Sequence, residues 1–262
     1  MRMRLSNGLA LGYRSSGVGR VLVLLHPVGT RGEFWSGVVE QLRDEHRCIS
    51  IDLRGCGESD TPGAKFTIDD LADDVIELLR VQGLTGAVVI GCSMGGMVAQ
   101  GVALKAPELL SGMVLTGTLH TQTPERRGIP LQRAQDALAG MPPLIEDTLA
   151  RWFPPEFARA NAGTVERVRQ WLIELDPVVF SWSWEAIAGL AYGERLRGVA
   201  VPALLVRGTE DAAGRAMPEM AQLLQRAQFV EMAQAGHMAP MEQPHAFAEL
   251  VRGFIAHEIE GR

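Results

Sequence analysis

The 262-residue chain has few cysteines, no excess of basic residues and no long apolar run. Its three cysteines, Cys48, Cys56 and Cys92, form no CxxC pair and lack metal-ligand spacing, so we predict free thiols in a cytoplasmic protein and no metal site. The formal net charge of −6 offers no basic patch for nucleic acid. Apolar runs such as Val21–Leu25 have strand length, and the N-terminus lacks the apolar region of a signal peptide, so we expect no membrane contact.

Short apolar runs alternate with longer helical patterns through most of the chain. This alternation is typical of an α/β domain, with a mostly parallel central sheet flanked by helices. Hydrophobic residues make up 47% of the chain, enough for one sizeable core. The predicted strands are Val21–Leu25, Arg47–Ile51, Ala87–Ile90, Gly112–Thr116, Ala203–Arg207 and Gln228–Glu231. The predicted helices include Thr67–Val81, Met94–Ala106 and a last helix that opens at Pro244.

The alternation is interrupted between residues 119 and 196. This segment is rich in proline, holds four of the five tryptophans, and has helical patterns but no convincing strand. We interpret it as a helical cap inserted into a core made of residues 1–118 and 197–262.

A Gly91-Cys92-Ser93-Met94-Gly95 motif follows one predicted strand and precedes a helix. In that context a G-x-S-x-G pattern predicts a sharp turn that exposes a nucleophilic serine, here Ser93. The alternative is a glycine-rich turn whose serine only caps the helix.

A serine nucleophile needs a base, and His237 is the favoured candidate among six histidines. It lies on a loop after the last predicted strand. His245 and His257 fall on the final helix, and His46 is expected at the end of the first helix, so we expect these three at the surface.

The orienting acid is predicted to be Asp211, which follows the strand Ala203–Arg207. Its carboxylate would accept the Nδ1 proton of His237 and stabilise the imidazolium. The adjacent Glu210 is not excluded by chemistry alone.

Two backbone amides are expected to hold the oxyanion. We assign them to Met94, which follows the nucleophile, and to Val28, in the loop after the first apolar strand. Pro27 cannot donate. His26 is expected to fix this loop by hydrogen bonding rather than to act in catalysis.

Five landmarks in order resemble the α/β-hydrolase superfamily: HPVGT at 26–30, DLRGCGES at 52–59, GCSMGG at 91–96, VRGTED at 206–211 and GHMAPMEQP at 236–244. Within it, the chain resembles the 3-oxoadipate enol-lactonases through HPVGT with Phe34-Trp35, GCSMGGMVAQ, and Arg151-Trp152-Phe153-Pro154 in the cap. The resemblance implies an enzyme that opens an unsaturated lactone carrying a carboxylate, in aromatic catabolism.

The cap is expected to set specificity. Trp152 and Trp184 are candidate substrate contacts, although tryptophans in a cap more often pack it onto the core. Arg31 is the candidate partner of a substrate carboxylate, with Arg54 and Arg151 as further possibilities. His120 is a candidate for the pocket or for the cap hinge.

The expected reaction is hydrolysis of a small ester or lactone through an acyl-enzyme, with no cofactor. The oligomeric state is not predictable. A carbon–carbon bond hydrolase with the same triad and a non-hydrolytic ligand receptor on the same fold remain as alternatives.

Overall fold

Eight strands form one sheet in the computed structural model, which describes residues 1–261. The strands are β1 (Arg2–Arg4), β2 (Ala10–Ser16), β3 (Arg20–Leu25), β4 (His46–Ile51), β5 (Ala87–Cys92), β6 (Leu110–Thr116), β7 (Ala203–Gly208) and β8 (Ala227–Met232). Their order across the sheet is β1-β2-β4-β3-β5-β6-β7-β8. Only β1 and β2 pair antiparallel with their neighbours, so the prediction of a mostly parallel sheet is confirmed.

Helices cover both faces of this sheet and fill the segment between β6 and β7. They are α1 (Ser36–Leu42), α2 (Ile68–Val81), α3 (Met94–Lys105), α4 (Gly128–Ala139), α5 (Met141–Trp152), α6 (Pro155–Ala160), α7 (Ala162–Glu174), α8 (Pro177–Ala188), α9 (Met217–Leu223), α10 (Ala239–Glu242) and α11 (Pro244–Phe254). The N-terminus of α2 is fixed by a capping box between Thr67 and Asp70. Within residues 1–261, no helix has both the length and the apolarity needed to cross a membrane.

The six predicted strands are all present, and their burial reflects their position. Every residue of the central strand β5 is buried, as expected for a parallel strand covered on both faces. The edge strand β8 is largely half-buried or exposed. The prediction for His46 was wrong, because this residue begins β4 instead of ending a helix and is only 8% exposed.

The predicted cap corresponds to five helices, α4 to α8, between β6 and β7. The chain enters and leaves this region side by side: Thr121 and Ala191 form a β-bridge, and the Tyr192 amide donates to the His120 carbonyl at 3.0 Å. Its exact bounds, 119–196, stay our interpretation. The two segments that connect the cap to the core therefore lie next to each other.

Candidate active site

The loops that carry the predicted catalytic residues all leave the same edge of the sheet. Val28 follows β3, Ser93 follows β5, Asp211 follows β7 and His237 follows β8. Because these strands are parallel, their carboxyl ends lie together. Ligands bind at this edge in open α/β sheets.

Ser93 occupies a strained turn between β5 and α3. Its φ of 52° and ψ of −115° lie outside the regions that ordinary residues favour. The turn is held because the Ser93 amide donates to the Thr116 carbonyl at 2.9 Å and the Thr118 hydroxyl donates to the Ser93 carbonyl at 2.7 Å. Strain concentrated at one serine is the conformation expected for a nucleophile elbow.

The glycines of the motif are required by close backbone contacts. A β-carbon on Gly91 would lie 2.2 Å from the Gly95 carbonyl oxygen, and one on Gly95 would lie 2.1 Å from the Leu25 carbonyl oxygen. Neither position can take a larger residue unless the backbone shifts.

His237 and Asp211 form a buried pair. Nδ1 of His237 lies 3.1 Å from Oδ1 of Asp211, and the two residues are 6% and 5% exposed. The same Asp211 oxygen accepts the Ala213 amide at 2.8 Å, which fixes the carboxylate. Glu210 is exposed, so the geometry selects Asp211 as the acid that contacts His237.

The charges of the pair support each other. Burial alone would lower the pKa of His237, but the charge and hydrogen bond of Asp211, together with the charge of Glu242, hold that pKa above its usual value. Burial likewise works to raise the pKa of Asp211, but the charge and hydrogen bond of His237, with backbone N–H groups, hold it below its usual value. Asp211 is therefore ionised at neutral pH and fixes the Nδ1 proton of His237.

Ser93 and His237 border the same short segment after β6. The His237 ring lies against Gly117, where an added β-carbon would come within 3.1 Å of Nδ1. Ser93 hydrogen-bonds to Thr116 and Thr118 on either side of that glycine. The Ser93 hydroxyl has no hydrogen-bond partner within residues 1–261, so its bond to Nε2 of His237 stays a prediction.

The two amides assigned to the oxyanion hole are buried and available. Val28 and Met94 are each 1% exposed, and within the described residues neither amide donates to a protein acceptor. Met94 opens α3, where the helix leaves its first N–H groups unpaired. Buried, unpaired donors of this kind suit a developing negative charge.

His26 fixes the loop that carries Val28. Its Nε2 accepts the Leu53 amide at 3.0 Å, and its Nδ1 contacts the Pro27 carbonyl oxygen at 2.8 Å. Burial lowers the pKa of His26, in agreement with a neutral ring. This arrangement agrees with the structural role expected from the sequence.

Three apolar cap side chains cover the oxyanion loop. A β-carbon on Gly29 would lie 2.7 Å from Cδ2 of Leu172, 3.0 Å from Cε2 of Phe180 and 3.4 Å from the ring of Trp152. The carbonyl of Trp152 also accepts the His237 amide at 3.2 Å. Trp152 therefore touches both the oxyanion loop and the loop of the predicted base.

The other predicted pocket residues lie farther into the cap or at its base. The Trp184 ring packs edge-on against Phe180, with centroids 6.0 Å apart, and lies 4.9 Å beneath the guanidinium of Arg133. His120 lies where the chain enters the cap, with Nδ1 3.1 Å from the Thr121 hydroxyl, and its role in the pocket or as a cap hinge stays a prediction.

The three candidate arginines have different surroundings. Arg54 forms two hydrogen bonds of 2.7 Å to Asp74, and the two side chains are only 11% and 3% exposed, so its guanidinium is already occupied by a buried ion pair. Arg151 is 62% exposed and pairs with Asp147. Arg31 lies over the Trp171 ring and pairs with Glu174 at 2.6 Å. Substrate contact by Arg31 stays a prediction.

Glu242, which the sequence analysis did not single out, holds the loop of the predicted base. Its two carboxylate oxygens accept the amides of Gly236 and Met238, at 2.8 and 3.0 Å. The signal in the sequence was an acid five residues after the histidine, beside a proline-initiated helix.

Comparison with known proteins agrees with this architecture. Residues 22–250 match the sequence model of the alpha/beta hydrolase family. The chain belongs to that family. A curated relative, (E)-2-((N-methylformamido)methylene)succinate hydrolase of Acinetobacter baylyi, is 30% identical over 211 residues, which cover 80% of this chain and 79% of the relative. The 3-oxoadipate enol-lactonase 2 of the same organism is 28% identical over 94% of this α/β hydrolase and 93% of its own length.

Solved structures show the same likeness. A thermophilic esterase from Thermogutta terrifontis superposes with a TM-score of 0.92 at 28% identity, covering 99% of both chains. The enol-lactonase from Burkholderia xenovorans superposes with a TM-score of 0.90 at 27% identity, covering 98% of this chain and 100% of the other. The resemblance to enol-lactonases expected from the motifs is confirmed.

Proposed function

We propose that this α/β hydrolase cleaves a small ester or lactone through an acyl-enzyme, and that its substrate resembles 3-oxoadipate enol-lactone. The observation that carries the proposal is the buried His237–Asp211 pair, 3.1 Å apart, beside the strained turn of Ser93. The substrate class is suggested by relatives named as enol-lactonases and esterases.

In the first half of the reaction, His237 takes the proton of Ser93 as Oγ attacks the carbonyl carbon. The amides of Val28 and Met94 hold the oxyanion while Asp211 stabilises the imidazolium. The tetrahedral intermediate collapses with cleavage of the bond to the ring or ester oxygen, and His237 returns the proton to that oxygen.

In the second half, water attacks the acyl carbon and His237 accepts its proton. Collapse releases the acid and restores the Ser93 hydroxyl. These steps need only the chain's own side chains and water.

The apolar cover of Trp152, Leu172 and Phe180 supports a small substrate. It lies directly over Gly29 of the oxyanion loop. A covered carbonyl is removed from bulk water, which strengthens its interaction with the two amides.

The test is a comparison of kcat/KM for an enol-lactone, a saturated lactone, an aryl acetate and a vinylogous diketone, with wild-type protein and Ser93→Ala. We expect turnover of the lactone or ester, and a loss of about a thousandfold or more in Ser93→Ala. Near-normal turnover by that variant would refute the nucleophile. Preference for the diketone would favour the carbon–carbon bond hydrolase.

A further inference from the structure

The Glu242 carboxylate accepts hydrogen bonds from the backbone on both sides of His237. One carboxylate oxygen accepts the Gly236 amide at 2.8 Å and the other accepts the Met238 amide at 3.0 Å. The Glu242 amide donates back to the Met238 carbonyl at 3.0 Å, which ties α10 to the same loop. A single side chain thus fixes the peptide units before and after the predicted base.

The remaining polar groups of His237 are held by other parts of the fold. Its amide donates to Trp152 at 3.2 Å, its carbonyl accepts the Cys92 thiol at 3.8 Å, and its ring contacts Asp211 at 3.1 Å. Among these backbone anchors in residues 1–261, Glu242 is the one that carries a full charge.

The loop is also crowded where Glu242 reaches it. A β-carbon on Gly236 would lie 3.1 Å from Oε1 of Glu242 and 2.6 Å from Cδ of Pro154. The carboxylate therefore lies directly against the loop backbone, with no room for a water between them.

The surroundings of Glu242 make its ionisation sensitive to pH. Burial raises the pKa of Glu242 to about 7, against the opposing effect of the two amides. A positive charge on His237 favours the carboxylate, whereas the nearby charge of Glu210 disfavours it. The thiol of Cys92 also faces this charge, but its own pKa is raised well above neutrality, so it stays protonated.

We propose that Glu242 is a positioning residue, whose carboxylate holds the His237 loop in register with Ser93 and stabilises the imidazolium that forms during turnover. The inference rests on the proposed function, in which His237 is the base. Glu242 acts through the loop and does not touch the reacting atoms.

Protonation of Glu242 weakens one of its two hydrogen bonds to the His237 loop. A neutral carboxyl group has one hydroxyl oxygen that accepts poorly, so one of the two amides loses its partner. The negative charge that favours imidazolium disappears at the same time. The substitution Glu242→Gln imitates this state at every pH. Its side chain is neutral, and its –NH2 group takes the place of one carboxylate oxygen and cannot accept from the Gly236 or Met238 amide that this oxygen bound.

The experiment compares wild type, Glu242→Gln, Glu242→Asp and Glu210→Gln as full-length proteins. Each is assayed on 4-nitrophenyl acetate across pH 5.5–9, with the active serine counted by a fluorophosphonate label. The titration of His237 is followed separately by NMR of its imidazole. Glu210→Gln removes a neighbouring charge without touching either amide, and is the matched control.

For Glu242→Gln we expect kcat to fall about tenfold at pH 8, with KM within about twofold of wild type. The acid limb of the pH profile and the His237 titration should both move to lower pH. Glu242→Asp keeps the charge but is one methylene shorter, so kcat should fall while the His237 titration stays near the wild-type position. Glu210→Gln should keep kcat within about twofold.

A purely structural role would lower the number of labelled serines without moving the titration of His237. Unchanged kcat in both Glu242 variants, or an unmoved His237 titration in Glu242→Gln, would overturn the proposal. If Glu242→Gln fails to fold, Glu242→Asp still decides it through kcat per labelled serine. A wild-type protein that hydrolyses no substrate would instead refute the proposed function, and the NMR titration would still test the grip of Glu242.

Discussion

The amide of His237 donates to the carbonyl of Trp152 at 3.2 Å, so the predicted base and the last residue of α5 are joined backbone to backbone. The ring of Trp152 also covers Gly29 in the oxyanion loop. One cap residue, Trp152, therefore contacts both the loop of the predicted base and the oxyanion loop.

Replacing Asp211 by Asn should lower kcat strongly while the fold stays intact. An amide at this position cannot stabilise the imidazolium and favours the wrong tautomer of His237. We expect a loss of about 10⁴-fold in kcat, measured on the best ester of the panel. The exposed neighbour supplies the control, since Glu210→Gln should lose less than about twofold. Equal losses in both variants would show that Asp211 has no special role.

The rate should depend on His237 being neutral. Burial acts to lower its pKa, but Asp211 and Glu242 together raise it above the usual value of 6.5. The imidazolium cannot accept the Ser93 proton, so kcat/KM should fall as pH drops through this raised pKa and level off above it. A pH profile of kcat/KM between 5 and 9 measures the acid limb. A limb centred below 6.5 would contradict the assignment.

Arg31 can be tested as the partner of a substrate carboxylate. The Arg31 guanidinium pairs with Glu174 at 2.6 Å. Variants of the two residues therefore distinguish an effect of losing the positive charge from an effect of breaking the ion pair. Arg31→Gln should raise KM for a carboxylated lactone by about tenfold, with little change for a neutral one, because a charged hydrogen bond is lost. Glu174→Gln breaks the same pair but keeps the cation. A parallel rise in KM for both lactones in Arg31→Gln would assign Arg31 to structure alone.

The elbow should tolerate no side chain at Gly95. A β-carbon there would lie 2.1 Å from the Leu25 carbonyl, which is backbone and cannot move aside cheaply. We expect Gly95→Ala to lower the free energy of unfolding by about 3 kcal/mol or more, measured by urea denaturation.

The helix α11 offers a matched control for this substitution. Gly253 has open space around its Cα, so Gly253→Ala should stabilise the protein by about 0.5–1 kcal/mol through helix propensity. A stable Gly95→Ala variant would show that the elbow is less crowded than its contacts indicate.

The motifs predicted the position of the site because each lies at the end of a strong apolar strand. Ser93 could be placed from the G-x-S-x-G motif after its strand, and His237 from its loop after the last strand. The choice between Asp211 and Glu210 required coordinates, since adjacent residues share the same sequence context but point in different directions.

Features that depend on distant pairing could not be predicted in the same way. The strand β1 is three residues long and mostly exposed, so it carries no apolar signal. Arg54 looked available for substrate, but its partner Asp74 lies 20 residues along the chain, on α2. The hydrogen bonds from Glu242 to the His237 loop could not be predicted either, because an exposed acid and a loop-binding acid look alike in sequence.

The β-bridge between Thr121 and Ala191 has a consequence for how the substrate range of such a protein can change. Both ends of the five-helix insertion meet at one bridge, and the catalytic loops belong to the sheet. An insertion of different length could replace the cap at this bridge without changing the order of the strands in the sheet. It would have to replace the Trp152 carbonyl that accepts the His237 amide and the apolar cover over Gly29.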